Sequence, residues 1–206
     1  MKAHIDKLEL YLLTLQEKYI EPHKDPLEPP DNYKLDIRSF CVLAHAAFEE
    51  FLESLSLYLL DEIEVNFSLR QRISYSSLCL FHFKGTDKEP DDESWKDDDK
   101  LFDRLKNQID SIKSSYSKYI MENNHGISLK YLKKLLVPLG IDLPSDMKEI
   151  LALNNLSKYR GAYAHTFYRK DFVVSPEDAW DCVNDVYKMC IKLANKAECV
   201  GYYSIK

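Results

Sequence analysis

Residues 35–64, LDIRSFCVLAHAAFEEFLESLSLYLLDEIE, decide the fold class. Cys41, Ala44, Phe48, Phe51, Leu52, Leu55 and Leu59 fall on one face when each residue turns by about 100°. This is the longest apolar-periodic segment of the chain, and it predicts a central core helix from Leu35 to about Glu64. Glycine is scarce, at five in 206 residues. The other long segments carry Leu, Lys, Glu, Tyr and Ala at helical spacing, so the expectation is an all-α protein with one helical domain over 1–206.

Upstream, Ile5, Leu8, Leu12, Leu15 and Tyr19 recur at three- and four-residue intervals and predict a first helix over 3–20. Pro22, Pro26, Pro29 and Pro30 follow, predicting an extended connection over 21–32. Residues 1–34 thus form an N-terminal helix and a Pro-rich connection. Downstream, Arg70–Phe83 suggests a helix weakened by Ser74, Ser76 and Ser77. The acidic stretch 84–100 predicts an exposed loop. Further helices are expected over Leu101–Glu122, over Leu129–Val137 with Ser128 as cap, and from Pro144 onward with Ser145 as N-cap. The last begins at Ser175-Pro176-Glu177-Asp178 and buries Ala179, Val183, Val186, Cys190 and Leu193.

A formal charge of −6 argues against a protein that coats nucleic acid non-specifically, since that mode depends on many cations neutralising phosphates. The negative charge gathers in Asp87–Asp99. Lys130, Lys133, Lys134, Lys148, Lys158, Arg160, Arg169 and Lys170 make a later stretch comparatively basic, so a nucleic-acid site is expected there. Cys41, Cys79, Cys182, Cys190 and Cys199 form no C-x-x-C pair and read as buried free thiols of a reducing cytoplasm. Met1–Ile20 carries charges throughout and no apolar run is long enough for a bilayer, which predicts a soluble protein without a membrane partner.

Chemistry concentrates in Arg160-Gly161-Ala162-Tyr163-Ala164-His165. Arginine is a permanent cation suited to phosphate, and histidine exchanges a proton near neutral pH; together they suit phosphodiester cleavage without a metal. Five positions on a regular helix splay the pair by roughly 140°. A shared site therefore calls for local distortion at Gly161, a long Arg reach or a second subunit. His4, His23, His82 and His125 show no metal-ligand spacing, so neither metal nor cofactor is expected. His45, on the core side of its helix, reads as a buried histidine. Tyr159, Tyr163, Phe167 and Tyr168 could stack on bases, although such spacing more often serves packing.

Two stretches, Asp36–Leu52 and Leu151–His165, resemble the HEPN (higher eukaryotes and prokaryotes nucleotide-binding) family, in its single-domain branches linked to RNA cleavage. The first looks like the family's early core helix bearing an acidic residue. The second matches its signature of Arg, four to six residues, then His. The likeness covers roughly residues 35 to 195 and leaves the first helix outside. It implies an all-α bundle that dimerises so that two motifs share one cleft. It further implies a metal-independent endoribonuclease of toxin or antiviral-defence type, cutting RNA through its own 2′-hydroxyl. Within it, His165 would act as general base or acid, Arg160 would hold the phosphate, and Glu49 would be the acidic partner. Ser157, Lys158 and Tyr163 are candidates for substrate contact.

Many active members of that family carry Asn, Asp or His directly after the motif Arg, where this chain has Gly161. That departure favours the alternative of a non-catalytic domain binding nucleotide, RNA or a partner protein. A purely structural adaptor, with Arg160 paired to Glu49, is a further alternative. An antitoxin is an expected partner if the protein is a toxin. Some family toxins are silenced by nucleotide transfer to a tyrosine two positions beyond the motif His, a place held here by Phe167.

Overall fold

The computed structural model describes residues 1–85, 101–123, 126–165 and 173–202, with side chains excluded at 162–165 and 201–202. Among the described residues there are seven α-helices and no strand. They are α1 (Lys2–Tyr19), α2 (Pro30–Ser68), α3 (Tyr75–Lys84), α4 (Leu101–Asn123), α5 (Leu129–Leu136), α6 (Met147–His165) and α7 (Pro176–Tyr202). Short 3₁₀ turns occupy Glu21–His23 and Val137–Leu139. No described helix is long and apolar enough to cross a membrane. Most of the acidic stretch, 86–100, lies outside the described residues.

The central helix starts five residues earlier than the periodicity predicts, inside the Pro-rich stretch expected to be extended. Pro30 is its first residue, where a missing N–H removes no helical bond and a fixed φ suits the helix. The serines of α3 do not weaken its interior. Ser74 is the N-cap, its hydroxyl accepting from Ser77 N at 3.1 Å while Ser77 Oγ accepts from Ser74 N at 3.3 Å. Asp146, not Ser145, opens α6: its side chain accepts from Lys148 N at 2.9 Å and its carbonyl from Ile150 N at 3.0 Å. A carboxylate one residue further on reaches the first-turn amide that a hydroxyl at 145 does not. Ser175 caps α7 as predicted, accepting from Asp178 N at 3.1 Å and donating to Asp178 Oδ2 at 2.7 Å.

The chain groups into two compact units. The first comprises Met1–Leu52, His125–Lys133 and Leu143–Asn195. Its buried side chains come from α1 (Leu8, Leu12, Leu15), the first half of α2 (Ile37, Phe40, Ala44, Phe48), α6 (Leu153, Leu156) and α7 (Val183, Val186, Leu193). Phe40 and Trp180 meet with ring centroids 6.3 Å apart. Helices α6 and α7 run antiparallel. Lys148, near the start of α6, bonds Asp185 well along α7 at 3.1 Å, and the Cys182 thiol donates to the Ala152 carbonyl at 3.2 Å. The buried Glu149 of α6 pairs with Lys192 of α7.

In the same unit His23 clips the connection before α2 to that helix. Its Nδ1 lies 3.0 Å from Glu28 Oε2 and its Nε2 2.9 Å from Asp36 Oδ2. The Asp36 bond leads in holding the imidazole pKa above 6.5, and Glu28 adds to it against the cost of burial.

The second unit comprises Glu53–Asn124, Lys134–Asp142 and Lys196–Lys206. Leu55, Leu59 and Ile63 of α2, Leu80 of α3, and Ile109, Tyr116 and Ile120 of α4 are buried in it. Phe67 stacks on Phe102 with centroids 5.2 Å apart. The Tyr116 hydroxyl donates to the Lys134 and Leu135 carbonyls, and Lys113 joins Asp61 and Glu64. Gly140 sits at φ +79°, and a Cβ there would lie 2.9 Å from the Tyr75 ring, so both backbone and space demand glycine.

Of the five cysteines, all unbridged, Cys41, Cys182 and Cys190 are buried. The remaining two depart from the expectation of burial: Cys79 is half-buried and Cys199 exposed. Cys199 lies near the end of α7, beyond the apolar face that covers Leu193 and Ala197.

Candidate functional site

The motif segment lies wholly on α6, which continues as α-helix through Gly161 to His165. Of the three routes to a shared site, local distortion at Gly161 is not present in this backbone. Among the described residues, a Cβ on Gly161 meets nothing within 4 Å. Arg160 is half-buried and Lys158 exposed. The Ser157 hydroxyl is shut away from solvent and has no hydrogen-bond partner among the described residues, so it does not present itself to a ligand. The side chains of Tyr163 and His165 lie outside the described residues, as do Phe167, Tyr168, Arg169 and Lys170.

Across from α6, the first half of α2 supplies His45 and Glu49, one helical turn apart. His45 is 4% exposed, and its Nδ1 lies 3.7 Å from Glu49 Oε2. Burial first, and the Arg160 charge second, lower the His45 pKa to about 4, so the ring is neutral near pH 7. The neighbouring Glu50 turns to the surface and bonds Lys7 at 3.3 Å. The structure thus gathers Arg160, His45 and Glu49 in one place within the first unit: a cation, a neutral imidazole and a carboxylate at the edge of the core. Such a set can hold a phosphate and fix the geometry of the groups around it.

Tyr159 marks the boundary between this cluster and the groove between α6 and α7. Its hydroxyl pKa is raised by burial first, then by the thiols of Cys182 and Cys41 and by Asp178. The two thiols are themselves pushed up to about 12 by burial, which makes them packing groups rather than nucleophiles. The groove encloses about 360 Å³ and is lined from α6 by Lys148, Leu151, Ala152, Asn155 and Tyr159, and from α7 by Asp178, Cys182 and Asp185. Val173 and Val174 complete it. Sequence reasoning missed it, because its α6 residues look like any amphipathic stripe until α7 is laid against them. Among the described residues no group of three or more His, Cys, Asp and Glu is arranged to hold a metal ion.

The family profile described as RiboL-PSP-HEPN matches residues 9–198. The match reaches well into α1, which the motif-based resemblance had left outside. No curated protein and no solved structure matches the chain. A match over nearly the whole chain, on an all-α architecture whose sixth helix carries the motif segment, identifies the chain as a member of the RiboL-PSP-HEPN family.

Proposed function

We propose that this chain is a metal-independent endoribonuclease that cleaves RNA by attack of the substrate's own 2′-hydroxyl, of the type used in toxin or antiviral-defence systems. Membership in a HEPN family supports a nucleotide- or RNA-related role. The observation that carries the finer reading is the convergence of Arg160 with the His45/Glu49 pair on two facing helices. In this reading Arg160 holds the phosphate and stabilises the charge that develops on its oxygens. His165 moves the proton as general base or acid. Glu49 is a positioning residue, and Lys158 and Tyr163 contact the strand. Arg160 and His165 are set roughly 140° apart on an unbroken helix, so the working site is shared between two copies in a symmetric homodimer. A partner protein restrains the activity in the cell.

The test is cleavage of a mixed-sequence RNA by Arg160→Ala and His165→Ala, with circular dichroism and melting followed in parallel. Each variant is expected to lose roughly 10²- to 10⁴-fold in rate while keeping its helical signal. Cleavage by the parent protein is expected to survive EDTA and to leave 2′,3′-cyclic phosphate ends. Persistence of activity in both variants, or its loss on chelation, refutes the mechanism.

Glycine at position 161 favours a second reading. No side chain there assists the motif Arg, and a domain that binds nucleotide, RNA or a partner without cutting has no need of one. Binding of RNA without cleavage by the parent protein selects it.

A further inference from the structure

The groove between α6 and α7 begins beside the motif and leads away from it. Tyr159, adjacent to Arg160, lines one end, and the Lys148/Asp185 pair lines the other. The eleven-residue step along α6 from Lys148 to Tyr159 spans roughly 16 Å, enough for one nucleotide's base and sugar. The floor is apolar, with Ala152 6% and Cys182 8% exposed. A volume of about 360 Å³ is at the scale of small-ligand pockets. A slot of this size with an apolar floor and polar groups along its rim suits a heteroaromatic ring that carries a hydrogen-bonding edge; Lys148 and Asp185 stand at one end, Asn155 midway, and Asp178 near Tyr159 at the other.

The Lys148/Asp185 end discriminates among the bases. Lys148 presents only donors and Asp185 only acceptors. Lys148 Nζ lies 3.1 Å from both carboxylate oxygens of Asp185, whose side chain is only 13% exposed, so a donor and an acceptor stand side by side at the end of the slot. A carboxylate has about four lone-pair sites, so Asp185 can keep its lysines and still accept from a ligand. Guanine offers the complementary edge: O6 accepts, while N1–H and the N2 amino group donate in a row. Adenine and cytosine present a single donor group on that edge, and uracil presents one N–H between two carbonyls. Asn155, midway along the slot, supplies an amide that serves any base.

We propose that this groove is a guanine-binding subsite, with the base edge on Lys148 and Asp185 and the ribose and phosphate leading past Tyr159 to Arg160. The strand direction rests on the ribonuclease reading; the guanine preference does not. In an RNA substrate the subsite would set cleavage beside guanines, because single-stranded bases are recognised by such edges.

The probe is guanosine 3′-monophosphate, titrated into isotope-labelled protein by NMR beside the adenosine, cytidine and uridine analogues. Guanosine monophosphate is expected to bind at least roughly tenfold more tightly than the others, the worth of one or two directed hydrogen bonds. Asp185→Asn, which turns an amino group toward the base donors, is expected to abolish the preference. Lys148→Met, at an exposed position, reduces it and keeps the test decisive if the first variant does not fold. Arg160→Ala is expected to weaken all four nucleotides alike and leave the preference in place.

Equal binding of all four nucleotides, or a preference untouched in both groove variants, overturns the proposal. Absence of RNA cleavage with the guanine preference intact refutes the ribonuclease reading alone; cleavage at every base without a preference refutes the subsite alone. A short RNA containing one guanine that binds more tightly than the mononucleotide assigns the subsite to a strand, and equal affinity assigns it to a free guanine nucleotide.

Discussion

Gly161 lies within α6, and a Cβ placed on it meets nothing within 4 Å among the described residues. Glycine in a helix interior forfeits about 0.5–1 kcal/mol relative to alanine, because it loses more backbone freedom on folding. With no steric cost to set against that gain, Gly161→Ala is expected to stabilise the protein by the same amount. For a chain of this size the gain corresponds to a melting temperature higher by roughly 1–4 °C. Because the helix already runs unbroken through Gly161 to His165, cleavage has no need of a bend there, and the variant is expected to keep its RNA-cleavage rate within about twofold. Thermal unfolding by circular dichroism and single-turnover cleavage, measured on the same preparation, read the two quantities separately. A lower melting temperature would show that the space beside Gly161 is filled in the assembled protein. A higher one with cleavage down by more than about tenfold would show that glycine acts as a hinge for Arg160 and His165, refuting the reasoning from the unbroken helix.

Two histidines set the pH range of stability from opposite sides. His45 is held near a pKa of about 4 in the folded protein against 6.5 when unfolded, so its contribution is complete above pH 6.5 and is lost as pH falls from there toward 4. The loss amounts to roughly 3 kcal/mol; urea denaturation of His45→Leu should show a flatter acid limb than the parent, and an identical limb would exclude His45 as its cause. His23 is raised above 6.5 by its Asp36 bond first and by Glu28, so the stability it contributes is complete below pH 6.5 and is lost as pH rises through its folded pKa. An NMR titration is expected to place the His23 midpoint above 6.5, and a midpoint below it would mean that the two carboxylates do not hold the ring in solution.

The all-α class and the helix order were legible because apolar periodicity is a local signal, written in intervals such as Phe48, Leu52, Leu55 and Leu59. Caps were legible where one side chain has one amide to serve, as at Ser175. They were not where adjacent residues compete, as Ser145 and Asp146 do at the start of α6. Pro30 was misread as a helix breaker because proline's effect depends on whether it stands at the first turn or within the helix, and sequence does not mark the boundary in advance.

The sequence by itself determined the helical class, the position of Arg160 on α6 and the side of α2 that carries Glu49, since each follows from residue type and helical spacing. Helical spacing alone puts His45 one turn from Glu49; only the tertiary structure decided that Arg160 comes up to this pair and that His45 is buried and neutral, because the arginine's field comes from a helix about a hundred residues away. It alone decided the α6/α7 groove as well. Lys148 and Asp185 look like two ordinary surface charges until antiparallel packing brings them to one end of a common slot.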